Sequence, residues 1–293
     1  FSDFFGKNRI DEGEKMSRRS KKNKSSLWKI IASVVAVVLV AVGGYFIINS
    51  LSTPKEPTNE PKVTQETKKP VYTASAEEKE YLSNKFKGLT STNSETIAYV
   101  YAPGTQLDEP VVQTKDNETY LNKTFEGDNV PYLGAVFMDT DNKKDFSDRL
   151  TWLFAHARGS KLGDHRMFND VNYYSRQDYF DEHPYVVIET PERKFYYEAV
   201  AMIIVPEETA FYRTSFDDDK DFEKQLTTIY DTAEVKKPNV KVSAKDKYLV
   251  LSTCREEDDT IRANLYLRQI PDSEMSEFVK QHGEKLTYKP TRS

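Results

Sequence analysis

The chain has 293 residues, of which 38% are hydrophobic and 30% charged, so it can bury a sizeable core. Its formal net charge of -5 gives no support to nucleic-acid binding, which depends on a basic surface. A single cysteine excludes an internal disulfide framework, and stability must therefore come from packing.

The N-terminal part has the composition of a membrane anchor. Five basic residues and no acidic one lie between Met16 and Ser26, and residues 30–48 follow without a charge. An apolar helix of this length crosses a hydrocarbon core of about 30 Å, and basic flanks favour the cytoplasmic side. We predict a cytoplasmic basic segment over 1–29 and a transmembrane anchor over 30–48, with the remainder outside the cell. The alternative is a cleaved signal peptide, whose apolar region is usually only about 7–15 residues.

A linker and one folded domain follow this segment. Residues 49–72 contain several prolines, many charges and almost no bulky apolar side chains, which predicts an extended extracellular linker. From residue 73 to residue 293 the composition is that of a single folded domain. Its first element, 75-SAEEKEYLSNKFK-87, has a serine cap, early glutamates and apolar residues at helical spacing, which predicts an amphipathic helix.

The rest of the domain is predicted to be mostly β. Eight short runs rich in β-branched and aromatic residues predict eight strands, without a regular alternation of helices, which favours an antiparallel barrel or sandwich. One helix, over 217–237, is predicted between late strands because Phe222, Leu226 and Ile229 recur at helical spacing. The strand runs are 97-IAYVYAPG, 110-PVVQTKDN, 134-GAVFMD, 150-LTWLFAHA, 185-YVVIET, 195-FYYEAVAMIIV, 247-KYLVLSTC and 261-IRANLYLRQI.

The only cysteine, Cys254, ends one of these predicted strands. Alternation of side chains places it on the same face as Tyr248, Val250 and Ser252. If 261–270 is the next antiparallel strand, Arg262 lies beside Cys254. At about 3.3 Å per residue, Arg268 then lies about 20 Å further along the strand than Arg262.

A nucleophilic cysteine also needs a general acid, and four histidines are available. His156 ends the strand 150-LTWLFAHA, whereas the others, His165, His183 and His282, lie in polar or charged segments. A barrel presents catalytic groups where its strands end, so His156 is the candidate. Taken singly, a strand-end histidine and a buried cysteine are more often structural.

Together with the surrounding sequence, these residues resemble the class B sortases. The similar segments are 98-AYVYAPGTQLDEPVVQTKDNETYL-121, 134-GAVFMD-139, 153-LFAHA-157 and 250-VLSTC-254, followed by Arg262. The resemblance extends over roughly residues 73–270, in the family's order, and the helix over 217–237 is similar to an insertion of class B. It implies a sortase-type eight-stranded β-barrel with an N-terminal helix. One departure is the separation of Cys254 and Arg262, which at eight residues is shorter than we expect for this class.

The resemblance implies a cysteine transpeptidase of the Gram-positive envelope, without a cofactor or metal. Its substrates would be surface proteins or pilins with an LPxTG-like C-terminal sorting motif. The amine acceptor would be a lipid-linked peptidoglycan precursor or a pilin lysine. Cys254 would be the nucleophile, His156 the acid and Arg262 the group that holds the substrate backbone and the oxyanion.

The resemblance also implies substrate-binding residues. Asn117 and Leu121 would line the groove, and Ser252 and Thr253 would belong to its wall. Asn117 can equally be a turn-forming residue, and Ser252 can equally be barrel packing.

Other readings of the same residues fit less well. A papain-like peptidase has its cysteine before its histidine, and an L,D-transpeptidase has a glycine before the cysteine, which LSTC lacks. A stalked extracellular binding or scaffold domain with an inert, buried Cys254 is the non-enzymatic alternative.

Overall fold

The computed structural model describes residues 72–158, 163–209, 211–255 and 257–292. The predicted segments over 1–29 and 30–48, and the linker up to residue 71, lie outside the described residues. None of the helices in the described ranges is both long enough and apolar enough to span a bilayer.

Nine strands and five α-helices make up the described part of the domain. The strands are β1 (Thr96–Tyr101), β2 (Asp108–Val112), β3 (Val136–Met138), β4 (Leu150–Phe154), β5 (Tyr185–Glu189), β6 (Lys194–Pro206), β7 (Val235–Lys236), β8 (Tyr248–Cys254) and β9 (Ile261–Gln269). The helices are α1 (Ala76–Thr92), α2 (Thr119–Asn122), α3 (Gln177–Glu182), α4 (Asp219–Thr232) and α5 (Asp272–His282). Short 3-10 helices cover Asn169–Ser175, Glu207–Thr209 and Gly283–Leu286.

Eight of the strands close into a barrel. Their order is β5-β1-β2-β3-β4-β8-β9-β6, and β6 pairs back onto β5. The two-residue strand β7 is an addition on β6. Closure satisfies the backbone groups that an open sheet edge would expose. The predicted eight-stranded, mostly-β fold is confirmed.

Two of the strand pairings are parallel, which differs from the expected antiparallel barrel. β2 pairs with β3, and β4 pairs with β8, in parallel. Parallel neighbours need long crossover connections. The chain provides them, because residues 113–135 separate β2 from β3 and residues 155–247 separate β4 from β8.

Strands β1 to β5 and β8 are buried over their whole length and thus on both faces, which explains their continuous apolar runs. In β1, Ala98 and Val100 belong to the main core, while Tyr99 and Tyr101 pack in a second cluster outside the barrel. Helix α1 supplies Leu82 and Phe86 to that second cluster, where they are fully or almost fully buried. The predicted cap is present, since the Glu78 amide donates to Ser75 Oγ over 3.1 Å.

Helix α4 forms between β6 and β7, within the predicted range 217–237. It begins after Asp218, whose side chain accepts a hydrogen bond from the Asp221 amide over 2.8 Å. Its buried face contains the three predicted residues, Phe222, Leu226 and Ile229. Helix α5 was not predicted; of its residues only Met275 is buried, so it lacks a continuous apolar stripe.

The pair Arg213–Asp221 makes the anchoring of α4 depend on pH. Arg213 Nη1 donates to Asp221 Oδ1 over 2.9 Å, and hydrogen bonding to this guanidinium lowers the pKa of Asp221 to about 2. An unfolded aspartate has a pKa of about 3.9. A depressed pKa in the folded state stabilises the fold above the unfolded value, and this contribution is lost as the pH falls from about 4 towards 2.

We therefore expect Asp221→Asn to be less stable than the wild type at pH 6, with a difference that shrinks as the pH falls below about 4. Urea unfolding of both proteins from pH 6 down to pH 3 measures this difference in the free energy of unfolding. Glu223→Gln changes an exposed acid on the same helix and is the matched control. A difference between wild type and Asp221→Asn that stays constant over this range would contradict the argument.

Candidate active site

His156 and Cys254 are brought together by the parallel pairing of β4 with β8. In this register Phe154 lies opposite Ser252. Two bonds continue the pairing beyond β4: the Ala155 amide donates to the Ser252 carbonyl over 3.3 Å, and Thr253 Oγ1 donates to the Ala155 carbonyl over 2.8 Å.

His156 and Cys254 each follow the aligned residues by two positions, so they share a face and one end of the barrel. Both are nearly buried, with 9% and 7% of their surface exposed. The predicted nucleophile therefore ends β8, and the predicted acid lies two residues beyond the end of the neighbouring strand β4.

The antiparallel strand β9 adds Arg262 on the other side of Cys254. Cys254 and Arg262 are direct cross-strand partners, which confirms the register expected from the sequence. Arg268 pairs with Tyr248 at the opposite end of these strands. A separation of eight residues between Cys254 and Arg262 is thus compatible with the pairing.

The loop between β8 and β9 is closed by local bonds. The Thr260 amide donates to Asp258 Oδ1 over 2.9 Å, and the Ile261 amide donates to the Asp258 carbonyl over 3.2 Å. The Arg255 amide then donates to the Ile261 carbonyl over 2.9 Å. These bonds return the chain directly into β9.

The 3-10 helix Asn169–Ser175 supports the end of β8. Asn172 Nδ2 donates to the Cys254 carbonyl over 3.2 Å, and Arg255 Nη1 donates to the Asn172 carbonyl over 3.3 Å. Arg255 also pairs with Glu257 over 2.8 Å. Asn172 was not identified from the sequence, because its segment has neither strand nor helix periodicity.

A backbone carbonyl fixes the ring of His156. His156 Nε2 lies 2.7 Å from the Leu121 carbonyl. A carbonyl oxygen only accepts hydrogen bonds, so Nε2 carries a proton in this arrangement. Nδ1 is then the ring nitrogen whose protonation can change while the bond to Leu121 is kept. The backbone of His156 is also held, because its carbonyl accepts a hydrogen bond from the Phe168 amide over 3.0 Å.

The segment 116-DNETYL-121 positions that carbonyl. Asp116 Oδ1 accepts from the Thr119 amide over 2.7 Å, which starts α2. Asn117 Nδ2 donates to Asp139 Oδ2 over 3.0 Å, and Asn117 Oδ1 accepts from the Thr140 amide over 2.9 Å. Asp116 therefore makes the turn, whereas Asn117 connects it to the segment that follows β3.

Buried Asp139 also connects this region to the segment before α4. Desolvation raises the pKa of Asp139, although bonds from Tyr212, Asp141 and Asn117 oppose the shift. The Tyr212 hydroxyl donates to Asp139, and its ring packs against Trp152 with centroids 5.3 Å apart. Tyr212 thus holds the segment before α4 against the interior of the barrel.

A cavity of about 360 Å³ opens beside His156. It is lined by Leu121, Asn122, Asn129, Pro131, Tyr132 and His156. Tyr132 is 55% exposed, and its ring centroid lies 6.4 Å from that of His156. In the part of the chain that the structure describes, no three His, Cys, Asp or Glu residues are grouped to hold a metal ion.

The four predicted groove residues occupy different environments. Leu121 lines the cavity, and Asn117 makes the bonds to Asp139 and Thr140. Ser252 and Thr253 are 3% and 1% exposed, and the Thr253 hydroxyl donates to the carbonyl of Ala155, directly after β4. Their contacts with a substrate stay predictions.

In comparisons with known proteins, the chain is similar to sortase B proteins in both sequence and structure. No protein-family model matches it. Sortase B of Staphylococcus aureus is 25% identical over 227 residues, which cover 77% of this chain and 89% of that protein. The solved S. aureus sortase B–substrate complex has a TM-score of 0.58 at 26% identity and covers 64% of this chain and 86% of its own. A sortase B complexed with triglycine also has a TM-score of 0.58 at 26% identity, with coverages of 65% and 87%.

Gly134 lies against both α2 and His156. Its φ is +60°, and an added Cβ would meet the Tyr120 carbonyl oxygen at 2.6 Å, the Leu121 carbonyl oxygen at 2.9 Å and His156 Cδ2 at 3.2 Å. Strain at positive φ and overpacking together are expected to make Gly134→Ala less stable by about 2–4 kcal/mol. The displaced Leu121 carbonyl should also change the ¹⁵N resonance of the His156 ring.

Gly127→Ala is the matched control, because Gly127 has φ +103° and nothing within 4 Å of an added Cβ. We expect it to cost only the backbone strain, about 1–2 kcal/mol, and to leave the His156 resonance unchanged. Urea unfolding and NMR of the ring nitrogens measure both effects. Equal losses of stability with an unchanged His156 resonance in both variants would refute the argument.

Proposed function

We propose that this chain, which is similar to the class B sortases, is a sortase-type cysteine transpeptidase that cleaves an LPxTG-like C-terminal sorting motif and joins the acyl product to an amine. The observation that carries the proposal is the register of β4, β8 and β9, which places His156, Cys254 and Arg262 at one end of the barrel. These residue types can supply a nucleophile, a proton donor and a fixed cation.

In the first step, the Cys254 thiolate attacks the carbonyl carbon of the threonine in the sorting motif. A thiol has an ordinary pKa of about 8.5, so the thiolate needs neighbouring positive charge at neutral pH. The carbon–sulfur bond forms and the peptide carbon–nitrogen bond breaks. The His156 imidazolium transfers its proton to the departing amine, and an acyl-enzyme thioester remains.

Arg262 stabilises the charge that develops on the carbonyl oxygen. Its planar guanidinium presents donors in a fixed geometry, which suits both an oxyanion and the backbone of an extended peptide. Arg262 is almost fully buried, and a charge that is shielded from water acts more strongly.

In the second step, an amine attacks the thioester. The carbon–nitrogen bond forms, the carbon–sulfur bond breaks, and His156 takes the proton of the amine as the thiolate leaves. The proposed acceptor is a lipid-linked peptidoglycan precursor or a pilin lysine, and the proposed donors are surface proteins or pilins. The solved complexes of sortase B with a substrate and with triglycine support a peptide donor and an amine acceptor.

We also propose where the enzyme works. The charge-free run over 30–48 with its basic N-terminal flank supports a single-pass anchor, with residues 1–29 in the cytoplasm. The linker over 49–72 would then hold the catalytic domain outside the membrane, where the donors and acceptors of this reaction are found.

A mass-spectrometric assay tests the proposed reaction. The protein is incubated with a panel of sorting-motif peptides, with and without triglycine or a lysine peptide, and its intact mass is measured. We expect one class of peptide to add the mass of its acyl fragment, and the matching amine to remove it. Cys254→Ala should form no adduct, and His156→Ala should form it about 10²- to 10⁴-fold more slowly.

The outcomes separate the alternatives. Release by triglycine favours a cell-wall acceptor, and release only by the lysine peptide favours pilin polymerisation. The absence of an adduct with every peptide, together with a Cys254 that resists alkylation in the folded protein, would reject the transpeptidase in favour of a stalked binding domain. The rate of adduct formation should also show a bell-shaped dependence on pH, because the thiolate and the imidazolium are needed together.

A further inference from the structure

Arg262 is held by two specific partners. Its Nη2 lies 2.7 Å from Glu207 Oε1, and its Nη1 donates to the Asp259 carbonyl over 2.7 Å. The side chain of Arg262 is 3% exposed and that of Glu207 is 28% exposed. A guanidinium is rigid and planar, so a hydrogen bond at one terminal nitrogen and an ion pair at the other restrict the direction of the whole group.

Glu207 reaches this position because of the barrel topology. β6 is the neighbour of β9, with Val205 opposite Arg262 and Pro206 opposite Ile261. Glu207 follows β6 directly, and its amide donates to the Thr260 carbonyl over 2.9 Å. Strands β4, β8, β9 and β6 are successive neighbours, and their ends supply His156, Cys254, Arg262 and Glu207.

We propose that Glu207 is a positioning residue, which holds the Arg262 guanidinium in the orientation that the transpeptidase reaction requires. The inference rests on the proposed role of Arg262 and adds a fourth residue to that site. A buried arginine without an anionic partner is costly, and a long side chain without a fixed partner samples several rotamers. Glu207 removes both costs before a substrate arrives.

The neighbouring Glu208 provides a matched control. It carries the same charge in the same 3-10 helix, Glu207–Thr209, but its side chain is exposed. A general effect of negative charge near the site would involve both glutamates. An effect through Arg262 would involve Glu207 alone.

The experiment compares Glu207→Ala, Glu207→Gln and Glu208→Ala in the full chain. The readouts are the single-turnover rate of acyl-enzyme formation, the rate of Cys254 alkylation by iodoacetamide, and the melting temperature. Because removal of one partner leaves the buried cation of Arg262 without its ion pair, we expect Glu207→Ala to lower the acylation rate roughly 10- to 100-fold. Glu207→Gln, which keeps the shape and an acceptor oxygen, should lose less. Glu208→Ala should lose nothing, and alkylation should stay within about 2-fold in all three, as expected when the fold and the thiol are intact.

A double-mutant cycle with Arg262→Lys separates positioning from general damage. If Glu207 acts through Arg262, Glu207→Ala will reduce the acylation rate strongly in the wild type and little in the Arg262→Lys background. The same non-additivity should appear in the unfolding free energies, which need no enzymatic activity. Equal effects of Glu207→Ala in both backgrounds, or acylation unchanged by Glu207→Ala, would overturn the inference.

Failure of the proposed function gives a different pattern. In that case the wild type itself forms no acyl adduct with any peptide, whatever residue stands at position 207. The unfolding cycle then still decides whether Glu207 and Arg262 are coupled, and additive unfolding energies would reject the pairing on their own.

Discussion

The parallel pairing of β4 with β8 is the constraint on which the site depends. Residues that are 98 positions apart in the chain, His156 and Cys254, become neighbours only because Phe154 lies opposite Ser252 in this register. The bond from Thr253 Oγ1 to the Ala155 carbonyl extends the pairing past the last residue of β4. A shift of one residue would move His156 to the other face of the sheet, away from the cysteine.

Two sides of the barrel then support the proposed reacting groups independently. On one side, the crossover between β2 and β3 contains α2, whose Leu121 carbonyl holds His156 Nε2. On the other side, the end of β6 contributes Glu207, which pairs with Arg262. Cys254 lies between them on β8, with its carbonyl bonded to Asn172. Each group is thus held through a different connection of the barrel.

Much of the fold could be predicted because its signals are local. The Ser75 cap, the apolar stripe of Phe222, Leu226 and Ile229, and the β-rich runs are each contained in a few adjacent residues. The pairing of Cys254 with Arg262 was also accessible, because a short loop between two strands fixes an antiparallel register. The parallel pairings were not accessible, because the crossovers that create them are long and carry no register information.

The supporting residues that local sequence signals do not reveal also depend on long-range pairing. A backbone carbonyl such as that of Leu121 has no side-chain signature, and Glu207 is one of two adjacent glutamates with nothing in the sequence to separate them. Only the pairing of β6 with β9 directs Glu207, rather than Glu208, towards Arg262. A chemistry for His156, Cys254 and Arg262 can therefore be proposed from residue types and resemblance. Their orientation is decided by long-range pairing, and long-range pairing is what a single sequence encodes least directly.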